Sequence, residues 1–315
     1  MKLYQGANLN ELYVQALHDC VEIKSPTPSR VGVVYDLGPA VFELELGSLN
    51  ILTLPKRALN PFFAIAESAW IIGGSNKLDT LSYYLKSYNR FSDDHLTLNG
   101  AYGFRLREHF GYDQINYVIK ELRNTPESRR CVLCMYGPED LTNKISKDIP
   151  CNTSIMLKIR DGCLDLTVTN RSNDIYLGVP YNFFVFQVLH YYLANEIGVN
   201  VGHQRHFTDS LHLYENNINE AREILNNIRC NSNELSCNPQ EFIGMILRDI
   251  DNINSRRFSE IKSAPIREVM MMYESYTKKL DHSIFERDAG NPILNYLVKD
   301  WSSKYTTTNN KSSQS

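Results

Sequence analysis

The chain has 315 residues, of which 43% are hydrophobic and 22% charged, and its formal net charge is −3 at pH 7. This composition is ordinary for a folded protein, and the slight acidity excludes a protein that coats nucleic acid by bulk charge. No run reaches the roughly 18 apolar residues of a membrane helix, and the N-terminus lacks the apolar core of a signal peptide. Together with seven scattered cysteines, these features predict a cytoplasmic protein with free thiols and no membrane association.

Hydrophobic periodicity predicts helices and strands that alternate along the chain. Helices are predicted over 8–22, 61–72, 77–88, 112–123, 182–197, 214–228 and 264–280, and strands over 30–53, 130–136 and 201–208. Phe42, Leu44 and Leu46 alternate with two glutamates, as in a strand with one buried face. Asp161-Gly162 predicts the turn of a hairpin over 153–171. The mixture indicates an α+β fold, a single domain with a mixed β-sheet covered by helices.

Two cysteines form a C-x-x-C motif, which elsewhere is typical of zinc or redox sites. Cys131 and Cys134 lie in a segment with a strand pattern, where residues three apart point to opposite faces. No second motif supplies the other two ligands that a structural zinc ion needs. We therefore expect no metal and two buried thiols that pack as small hydrophobes. The same interpretation applies to Cys20, Cys163, Cys230 and Cys237.

Cys151 differs from the other cysteines because Pro150 fixes the backbone immediately before it, at the start of the predicted hairpin. A nucleophilic cysteine needs neighbours that stabilise its thiolate, and arginines serve this purpose. Arg129, Arg130 and Arg171 are the candidates.

Glu67 is the single acidic residue in the apolar helix predicted over 61–72. If it is buried there, desolvation raises its pKa, and the carboxyl becomes a proton donor near neutral pH. The alternative is that Glu67 lies on an exposed stripe of an amphipathic helix. Apolar residues at i±3 and i±4 weigh against that alternative, and the sequence leaves both open.

Eight short motifs then point to one family. They are Arg30-Val31-Gly32, Glu67-Ser68-Ala69-Trp70 followed by Gly74-Ser75-Asn76, Ala101-Tyr102-Gly103, Ser128-Arg129-Arg130, Pro150-Cys151, Asn170-Arg171-Ser172-Asn173-Asp174, Leu177-Gly178-Val179-Pro180-Tyr181-Asn182 and His212-Leu213-Tyr214. In order and spacing they resemble thymidylate synthase and its relatives, the pyrimidine-nucleotide hydroxymethylases. The resemblance implies a catalytic domain over 1–229. After about residue 230 no motif of the family is recognised, and we expect residues 230–303 to form a helical C-terminal extension of the same domain. A disordered tail is expected over 304–315 because its composition is of low complexity.

The resemblance implies a pyrimidine nucleoside 5′-monophosphate as substrate and 5,10-methylenetetrahydrofolate as cofactor. Cys151 would attack C6 of the base, so that C5 can take the one-carbon unit from the folate. Glu67 would relay protons through water to the folate and to the base carbonyl. Tyr102 would help to remove the proton from C5.

The resemblance also implies how the phosphate is bound. Arg30, Arg171 and Ser172 would hold the 5′-phosphate, a task that suits the paired donors of arginine. Arg129 and Arg130 would reach the phosphate in the neighbouring subunit, which implies an obligate homodimer. Spacing alone would instead suggest that these two arginines form a solvated charge cluster at a helix end.

The remaining contacts implied by the resemblance concern the sugar, the pterin and the base. His212 and Tyr214 would contact the sugar hydroxyl, which requires that their segment be extended. Asp174 would anchor the pterin ring. The alternative is that Asp174 serves only as a turn residue. Asn182 would read the base, because a side-chain amide offers one donor and one acceptor. It can meet O4 and N3–H of uracil together, whereas cytosine reverses both groups. The sequence therefore favours a uracil nucleotide, although an amide that flips could accept cytosine.

Three departures from the family pattern bear on the product. Asn152 follows the cysteine where thymidylate synthases have histidine, residues 88–94 contain no tryptophan, and the C-terminus is polar rather than apolar. After the folate leaves, C5 bears a reactive exocyclic methylene group, and methylation requires that water be kept out. We therefore expect hydroxymethylation of a uridylate or deoxyuridylate, with reductive methylation to thymidylate as the alternative.

Functions of other classes compete with this one. The chain could be an inactive family member that binds nucleotide or RNA, but the retained Cys151, Glu67 and Asn182 speak against it. It could be a cysteine hydrolase that pairs Cys151 with His203, His206 or His212, but no motif for an oxyanion hole is present. A purely structural dimerisation module would leave the polar residues unexplained.

Overall fold

The computed structural model describes residues 1–312, except Leu46, Lys144, residues 229–234, Ser236 and residues 280–281. Eight strands of the described chain form one mixed sheet: β1 (Lys2–Gly6), β2 (Thr27–Ser29), β3 (Gly32–Leu44), β4 (Val132–Cys134), β5 (Asn152–Arg160), β6 (Cys163–Asn170), β7 (Asn173–Asp174) and β8 (Asn200–Tyr214). Their order is β1-β3-β8-β6-β5-β4, with β2 paired to β3 and β7 paired to β8. The predicted α+β fold with a mixed sheet is confirmed.

The helices are α1 (Leu9–Val21), α2 (Pro61–Ile72), α3 (Leu78–Ser82), α4 (Tyr102–Phe104), α5 (Gln114–Asn124), α6 (Glu139–Thr142), α7 (Val179–Ile197), α8 (Ile218–Asn226), α9 (Pro239–Leu247), α10 (Ile250–Asn254), α11 (Ala264–Lys279) and α12 (Pro292–Ser312). A short 3₁₀ helix, Lys86–Arg90, follows α3, and a π-helical turn, Arg105–His109, follows α4. Among the described residues, no helix is both long and apolar enough to span a bilayer.

Local sequence signals set the limits of the two central helices. The side chain of Asn60 accepts a hydrogen bond from the Phe63 backbone and caps α2, and every residue of α2 is buried. At the other end of α7, Gly198 adopts the left-handed conformation with φ of 89°, which ends the helix. Tyr181 of α7 packs edge-on against Phe63 of α2, with ring centroids 5.0 Å apart. These two helices therefore form the buried layer against which the site is built.

The predicted hairpin consists of β5 and β6, joined by Asp161 and Gly162 with φ of 51° and 73°. The C-x-x-C motif spans the strand β4, and its two thiols face opposite ways, since Cys131 is buried and Cys134 exposed. The expectation that both are buried is therefore wrong for Cys134. Among the described residues, no group of histidine, cysteine and acidic side chains has the arrangement of a metal site. Leu46 and Cys230 lie outside the described residues.

The face of the sheet away from α2 and α7 is only partly covered. Its side chains alternate with buried ones along each strand and are half-buried or exposed, and they include Val41, Glu43, Val132, Cys134, Ser154, Met156, Thr167, Arg205 and Phe207. Arg205 pairs there with Glu43 at 2.7 Å and with Asp165 at 3.0 Å. This face has no helical layer in the described chain, although it carries apolar side chains at its centre.

The C-terminal helices belong to the same core as the rest of the chain. Trp301 of α12 packs edge-on against Phe62 of α2 at 5.0 Å, and Tyr273 of α11 contacts the same ring at 4.7 Å. The sequence predicted disorder from residue 304 onward, whereas α12 continues as far as Ser312. Extending a helix that is already anchored by packing costs less than starting a new one, so weak helix formers can follow it.

Candidate active site

Cys151 lies immediately before β5, and its half-buried thiol is surrounded by hydrogen-bond donors. The Arg171 guanidinium approaches Sγ at 3.5 Å, and the Ser172 hydroxyl approaches it at 3.7 Å. Arg171 is held in place because Nε donates to the carbonyl of Pro150 and Nη2 donates to that of Ile149. A cation and a hydroxyl directed at the sulfur are the surroundings typical of a nucleophilic cysteine.

Arg129 and Arg130 do not take part in this arrangement within the chain. The Leu157 backbone donates a hydrogen bond to the carbonyl of Cys131. Because β4 and β5 are antiparallel, Arg130 lies opposite the residue that follows Leu157 on β5. At about 3.3 Å per residue, this end of the strand is on the order of 20 Å from Cys151. Both arginines are exposed. Of the three arginines considered as neighbours of the thiol, only Arg171 contacts it in the described structure.

Glu67 is buried in α2, with 9% of its surface exposed, so the alternative of an exposed stripe is wrong. The Tyr88 hydroxyl donates to Oε1 at 3.3 Å, and Oε2 is buried without a partner among the described residues. Burial raises the pKa of Glu67 to about 8, although the hydrogen bond from Tyr88 opposes the increase. The carboxyl is therefore protonated for much of the time at neutral pH and can donate a proton.

Tyr102 begins α4 and lies in the neighbourhood of Cys151 and of Tyr88, which contacts Glu67. Its pKa is raised by burial first and then by the charges of Cys151 and Asp148, while hydrogen bonds from Asn152 oppose the increase. Tyr102 in turn acts electrostatically on Tyr88, as does Glu67. The predicted catalytic residues Cys151, Glu67 and Tyr102 are thus linked through Tyr88 and Asn152.

Asn182 lies in the first turn of α7, between two other asparagines. Its Oδ1 accepts from Nδ2 of Asn152 at 3.5 Å, and its Nδ2 donates to Oδ1 of Asn173 at 3.1 Å. Gly178 allows this approach, because a Cβ atom there would lie 2.4 Å from Oδ1 of Asn173. Each polar atom of the Asn182 amide retains capacity for one more hydrogen bond, as the reading of a base requires.

Asp174 and His212 are paired residues of β7 and β8. The Asp174 Oδ1 atom accepts from the Tyr176 backbone at 2.8 Å, and Oδ2 is buried with no described partner. Burial raises the pKa of Asp174, while backbone donors and the charges of His212 and Arg57 oppose the increase. The bond from the Tyr176 backbone is that of an Asx turn, as the alternative of a turn residue predicts, and the second oxygen, Oδ2, is left to accept a hydrogen bond from a ligand.

His212 and Tyr214 lie in the extended strand β8, as their predicted role requires, and their rings contact edge to face at 5.1 Å. The pKa of Tyr214 is raised, mainly by burial and further by the charges of Asp174 and Cys151. The charges of Arg30 and Arg90 oppose this increase. Arg30 is exposed in the turn between β2 and β3. The structure therefore brings the predicted phosphate, sugar and pterin residues of this chain around Tyr214.

Sequence reasoning missed several residues of the site. Arg90 ends the 3₁₀ helix near Tyr214, and Tyr88 contacts Glu67. Both lie in residues 88–94, where the absence of tryptophan was the feature that the sequence made apparent. Arg57 is 4% exposed and donates to the carbonyl of Tyr176 at 2.6 Å, close to Asp174. Asn173 was noted only as part of a motif. An isolated arginine before a buried helix was the one available signal for Arg57.

The thiol of Cys151 is thus contacted by an arginine and a hydroxyl, and the residue after it contacts the Asn182 amide, which is an arrangement that nucleophilic catalysis on a polar ligand would use. The sequence model of the family described as "Thymidylate synthase" matches residues 22–265. The match continues beyond residue 230, where the sequence motifs had indicated no counterpart in the family. The chain belongs to the thymidylate synthase family. The resemblance noted in the sequence is thereby confirmed.

Named relatives include two phage proteins described as "Deoxyuridylate hydroxymethyltransferase". The protein of Pseudomonas phage M6 is 35% identical over 227 residues, which cover 71% of this chain and 65% of that protein. The protein of Bacillus phage SP01 is 34% identical over 226 residues, which cover 68% and 59%. A "Thymidylate synthase" of Mycoplasma genitalium is 31% identical over 138 residues, 44% of this chain and 47% of that protein. The chain thus spans less than two thirds of the two phage relatives.

Proposed function

We propose that the protein transfers a one-carbon unit to C5 of deoxyuridylate and releases the 5-hydroxymethyl nucleotide. The observation that carries the proposal is the pair formed by the Cys151 thiol, with its donors Arg171 and Ser172, and the buried carboxyl of Glu67. A nucleophile and a proton donor are the two functions that activation of C5 requires. The names of the two phage relatives support deoxyuridylate as the substrate and hydroxymethylation as the outcome.

The Cys151 thiolate adds to C6 of the uracil ring, which makes C5 a carbon nucleophile. Arg171 and Ser172 are within 4 Å of the sulfur, so the 5′-phosphate they bind holds the nucleotide beside the thiolate. Arg30 approaches from the β2–β3 turn and supplies a further cation for the phosphate. His212 and Tyr214 lie on the neighbouring strand, where they can hold the sugar hydroxyl.

The base is held by Asn182, and proton transfers are divided between two other groups. Asn182 presents an amide to O4 and N3 of the ring. Tyr102 lies near Cys151, and its neutral hydroxyl orients a water molecule that takes the proton from C5. Glu67, with its pKa raised to about 8, donates to the base carbonyl through water and takes the proton back.

Water rather than hydride completes the reaction in this proposal. The free Oε2 atom of Glu67 has no described partner, and the Tyr88 hydroxyl beside it makes this wall of the site polar. A polar cavity with free acceptors and donors is where an ordered water molecule binds. Water held by Glu67 and Tyr88 can therefore add to the exocyclic methylene group at C5 and give its proton to Glu67. Expulsion of the Cys151 thiolate from C6 then restores the C5–C6 double bond and releases the hydroxymethyl nucleotide.

The residues present fit a folate. Asp174 has a buried oxygen without a described partner, and the N–H groups of a pterin are donors that match it. Arg57 lies close by and keeps a positive charge next to this carboxylate. When bound, 5,10-methylenetetrahydrofolate supplies the one-carbon unit. Asp174 orients the ring, and its neighbours Tyr176 and Arg57 hold Asp174 in place.

We also propose that the protein acts as a homodimer, joined through the uncovered face of the sheet. That face carries half-buried or exposed apolar side chains, including Val41, Val132, Met156 and Phe207. Such a patch is expected to be covered by another protein surface. Arg129 and Arg130 lie at the end of β5 remote from Cys151 of their own chain, which leaves them available to a neighbouring site.

A second candidate is reductive methylation of deoxyuridylate to thymidylate. The observation that favours it is the aromatic packing around Glu67, where Tyr88 lies 5.0 Å from the Phe63 ring and 5.6 Å from the Phe91 ring. Aromatic walls exclude water and so favour hydride transfer from the folate. The relative described as a thymidylate synthase supports this candidate as well.

One assay separates the two candidates. The purified protein is incubated with 5,10-methylenetetrahydrofolate and, separately, with dUMP, dCMP, UMP or CMP, and the nucleotide products are identified by mass. We expect a 5-hydroxymethyl product from dUMP, with no dihydrofolate detected by absorbance. Dihydrofolate formed in a one-to-one ratio with a 5-methyl product would establish the second candidate. No product from any of the four nucleotides would refute both.

A further inference from the structure

Five polar side chains form a hydrogen-bonded row that runs across three strands and ends on α7 and β7. In order from donor to acceptor they are Thr208, Asn170, Asn152, Asn182 and Asn173. The row follows the sheet, because Asn152 is the cross-strand partner of Asn170, and Asn170 is that of Thr208. Asn152 and Thr208 are completely buried, and Asn170 and Asn173 are nearly so. Buried amides of this kind have no water available to replace a lost partner.

The row fixes how the Asn182 amide is turned. Its oxygen faces the Nδ2 donor of Asn152, and its nitrogen faces the Oδ1 acceptor of Asn173. Turning this amide by 180° would set nitrogen against nitrogen on one side and oxygen against oxygen on the other. Each mismatch leaves a buried polar group without a partner, which is costly.

This orientation matters for the base. An amide that reads uracil accepts from N3–H and donates to O4, and an amide that reads cytosine must do the reverse. We propose that Asn152 is a positioning residue that locks the Asn182 amide in the orientation that reads uracil, and thereby sets discrimination against cytosine. The inference rests on the proposed binding of a uracil nucleotide and adds the residue that determines its selectivity.

Asn152 rather than Asn173 fixes the orientation of the Asn182 amide, because Asn152 donates a hydrogen bond to Asn182 whereas Asn173 accepts one from it. Asn152 contributes its Nδ2 donor to the oxygen of Asn182, at 3.5 Å. Asn173 contributes an oxygen, and its own Nδ2 is buried without a described partner. An aspartate could replace Asn173 and still accept from Asn182, whereas an aspartate at position 152 would face Oδ1 of Asn182 with a second acceptor.

The test applies the same chemical change on the two sides of Asn182. Equilibrium binding of dUMP and of dCMP is measured without folate for the wild type, Asn152→Asp and Asn173→Asp. We expect Asn152→Asp to turn the amide and to lower the dUMP-to-dCMP affinity ratio by about tenfold or more. Asn173→Asp should keep the ratio or raise it. Loss of discrimination in Asn173→Asp but not in Asn152→Asp would mean that the row runs in the opposite direction and would overturn the proposal.

Two further variants guard against a loss of folding. Asn152→Ala removes the donor without adding an acceptor, so the ratio should fall by less than in Asn152→Asp. Asn50→Asp is the matched control, since Asn50 is also buried and donates to a side-chain carbonyl, that of Gln204, at 3.0 Å. It should alter thermal stability but not the ratio.

The binding measurements distinguish a failure of the role proposed for Asn152 from a failure of the proposed function. If Asn152→Asp and Asn152→Ala weaken both nucleotides equally, with the ratio unchanged, Asn152 has only a structural role and the lock is refuted. If the wild type binds neither dUMP nor dCMP, the proposed function itself fails, and the inference fails with it.

Discussion

The Tyr88 hydroxyl donates to the carboxyl of Glu67 across 3.3 Å, and this contact makes the chemistry of one buried group depend on the other. Burial raises the pKa of Glu67 to about 8, and the hydrogen bond from Tyr88 opposes that increase. Glu67 in turn helps to raise the pKa of Tyr88, so the tyrosine remains a donor at every physiological pH. The pair therefore holds a carboxyl that gains and loses its proton near neutrality.

Removing the Tyr88 hydroxyl should change the pH profile. In Tyr88→Phe the ring remains, but Glu67 loses the donor that stabilises its charged form, so its pKa should rise by up to about one unit. If protonated Glu67 is the required form, the alkaline limb of the kcat profile moves to higher pH by the same amount. Tyr83→Phe, in a tyrosine that contacts Thr277 rather than Glu67, is the control and should leave the limb in place. An unchanged limb in Tyr88→Phe would separate Tyr88 from the proton transfer.

Glu67 also makes a prediction about stability. Its pKa is raised in the folded state from the ordinary value of 4.5 to about 8, so the folded protein binds one more proton than the unfolded chain between these values. The free energy of unfolding therefore falls as the pH rises, by about 1.4 kcal/mol per pH unit over this window for this group. Glu67→Gln keeps an oxygen for Tyr88 and removes the titration.

The quantity to compare is the difference in free energy of unfolding between Glu67→Gln and the wild type. From pH 5 to pH 7 we expect this difference to change in favour of Glu67→Gln by up to about 3 kcal/mol. Chemical denaturation at several pH values measures this difference. Below about pH 4 the two pH dependences should run parallel, because the carboxyl is protonated in both states. A constant difference from pH 5 to pH 8 would mean that Glu67 is ionised in the folded protein.

The nucleophile can be tested without waiting for turnover. Cys151→Ala should abolish catalysis while dUMP still binds, because Arg30, Arg171 and Ser172 are unchanged. The wild type should form a covalent complex with 5-fluoro-dUMP and 5,10-methylenetetrahydrofolate that survives denaturation and is detected by mass, and Cys151→Ala should not. Cys237→Ala is a matched control, since Cys237 is equally half-buried and burial raises its pKa to about 11. Turnover in Cys151→Ala would exclude a covalent mechanism through this residue.

The sequence predicted those parts of the molecule in which the determining residues are close together along the chain. The helix α2 was predicted over 61–72 from its apolar residues, and the hairpin was predicted from Asp161 and Gly162. The row of amides could not be predicted, because Asn152 and Asn182 meet only after β5 and α7 have packed. Asn152 was recognised in the sequence only as a departure from histidine, without a partner that would give it a role.

The same limit applies to charge. The sequence proposed three arginines as neighbours of Cys151, because all three lie within about twenty residues of it. The strand pairing separates them: Arg171 returns to the thiol through the hairpin, and Arg130 is left at the remote end of β5. Which of several nearby charges acts on a group is decided by strand register, and register is set by contacts between distant segments.

That separation leads to a prediction about the dimer. If Arg129 and Arg130 serve the neighbouring subunit, subunits carrying Arg129→Ala with Arg130→Ala should be inactive alone, as should Cys151→Ala subunits. A mixed dimer has one site in which the thiol comes from the arginine variant and both arginines come from the Cys151→Ala partner. Random reassembly of equal amounts makes half of the dimers mixed, each with one complete site. We therefore expect about a quarter of wild-type activity to return.

Arg171→Ala provides the matched control for this experiment, because Arg171 contacts Cys151 of its own chain at 3.5 Å. In a dimer that mixes Arg171→Ala with Cys151→Ala, one site lacks the arginine and the other lacks the thiol, so mixing should restore nothing. The subunits are mixed after mild dissociation, and kcat is measured against each variant incubated alone. Recovery with the Arg129 and Arg130 variant but not with Arg171→Ala requires that the two arginines act across the interface. Equal recovery in both mixtures, or none in either, would contradict the shared site.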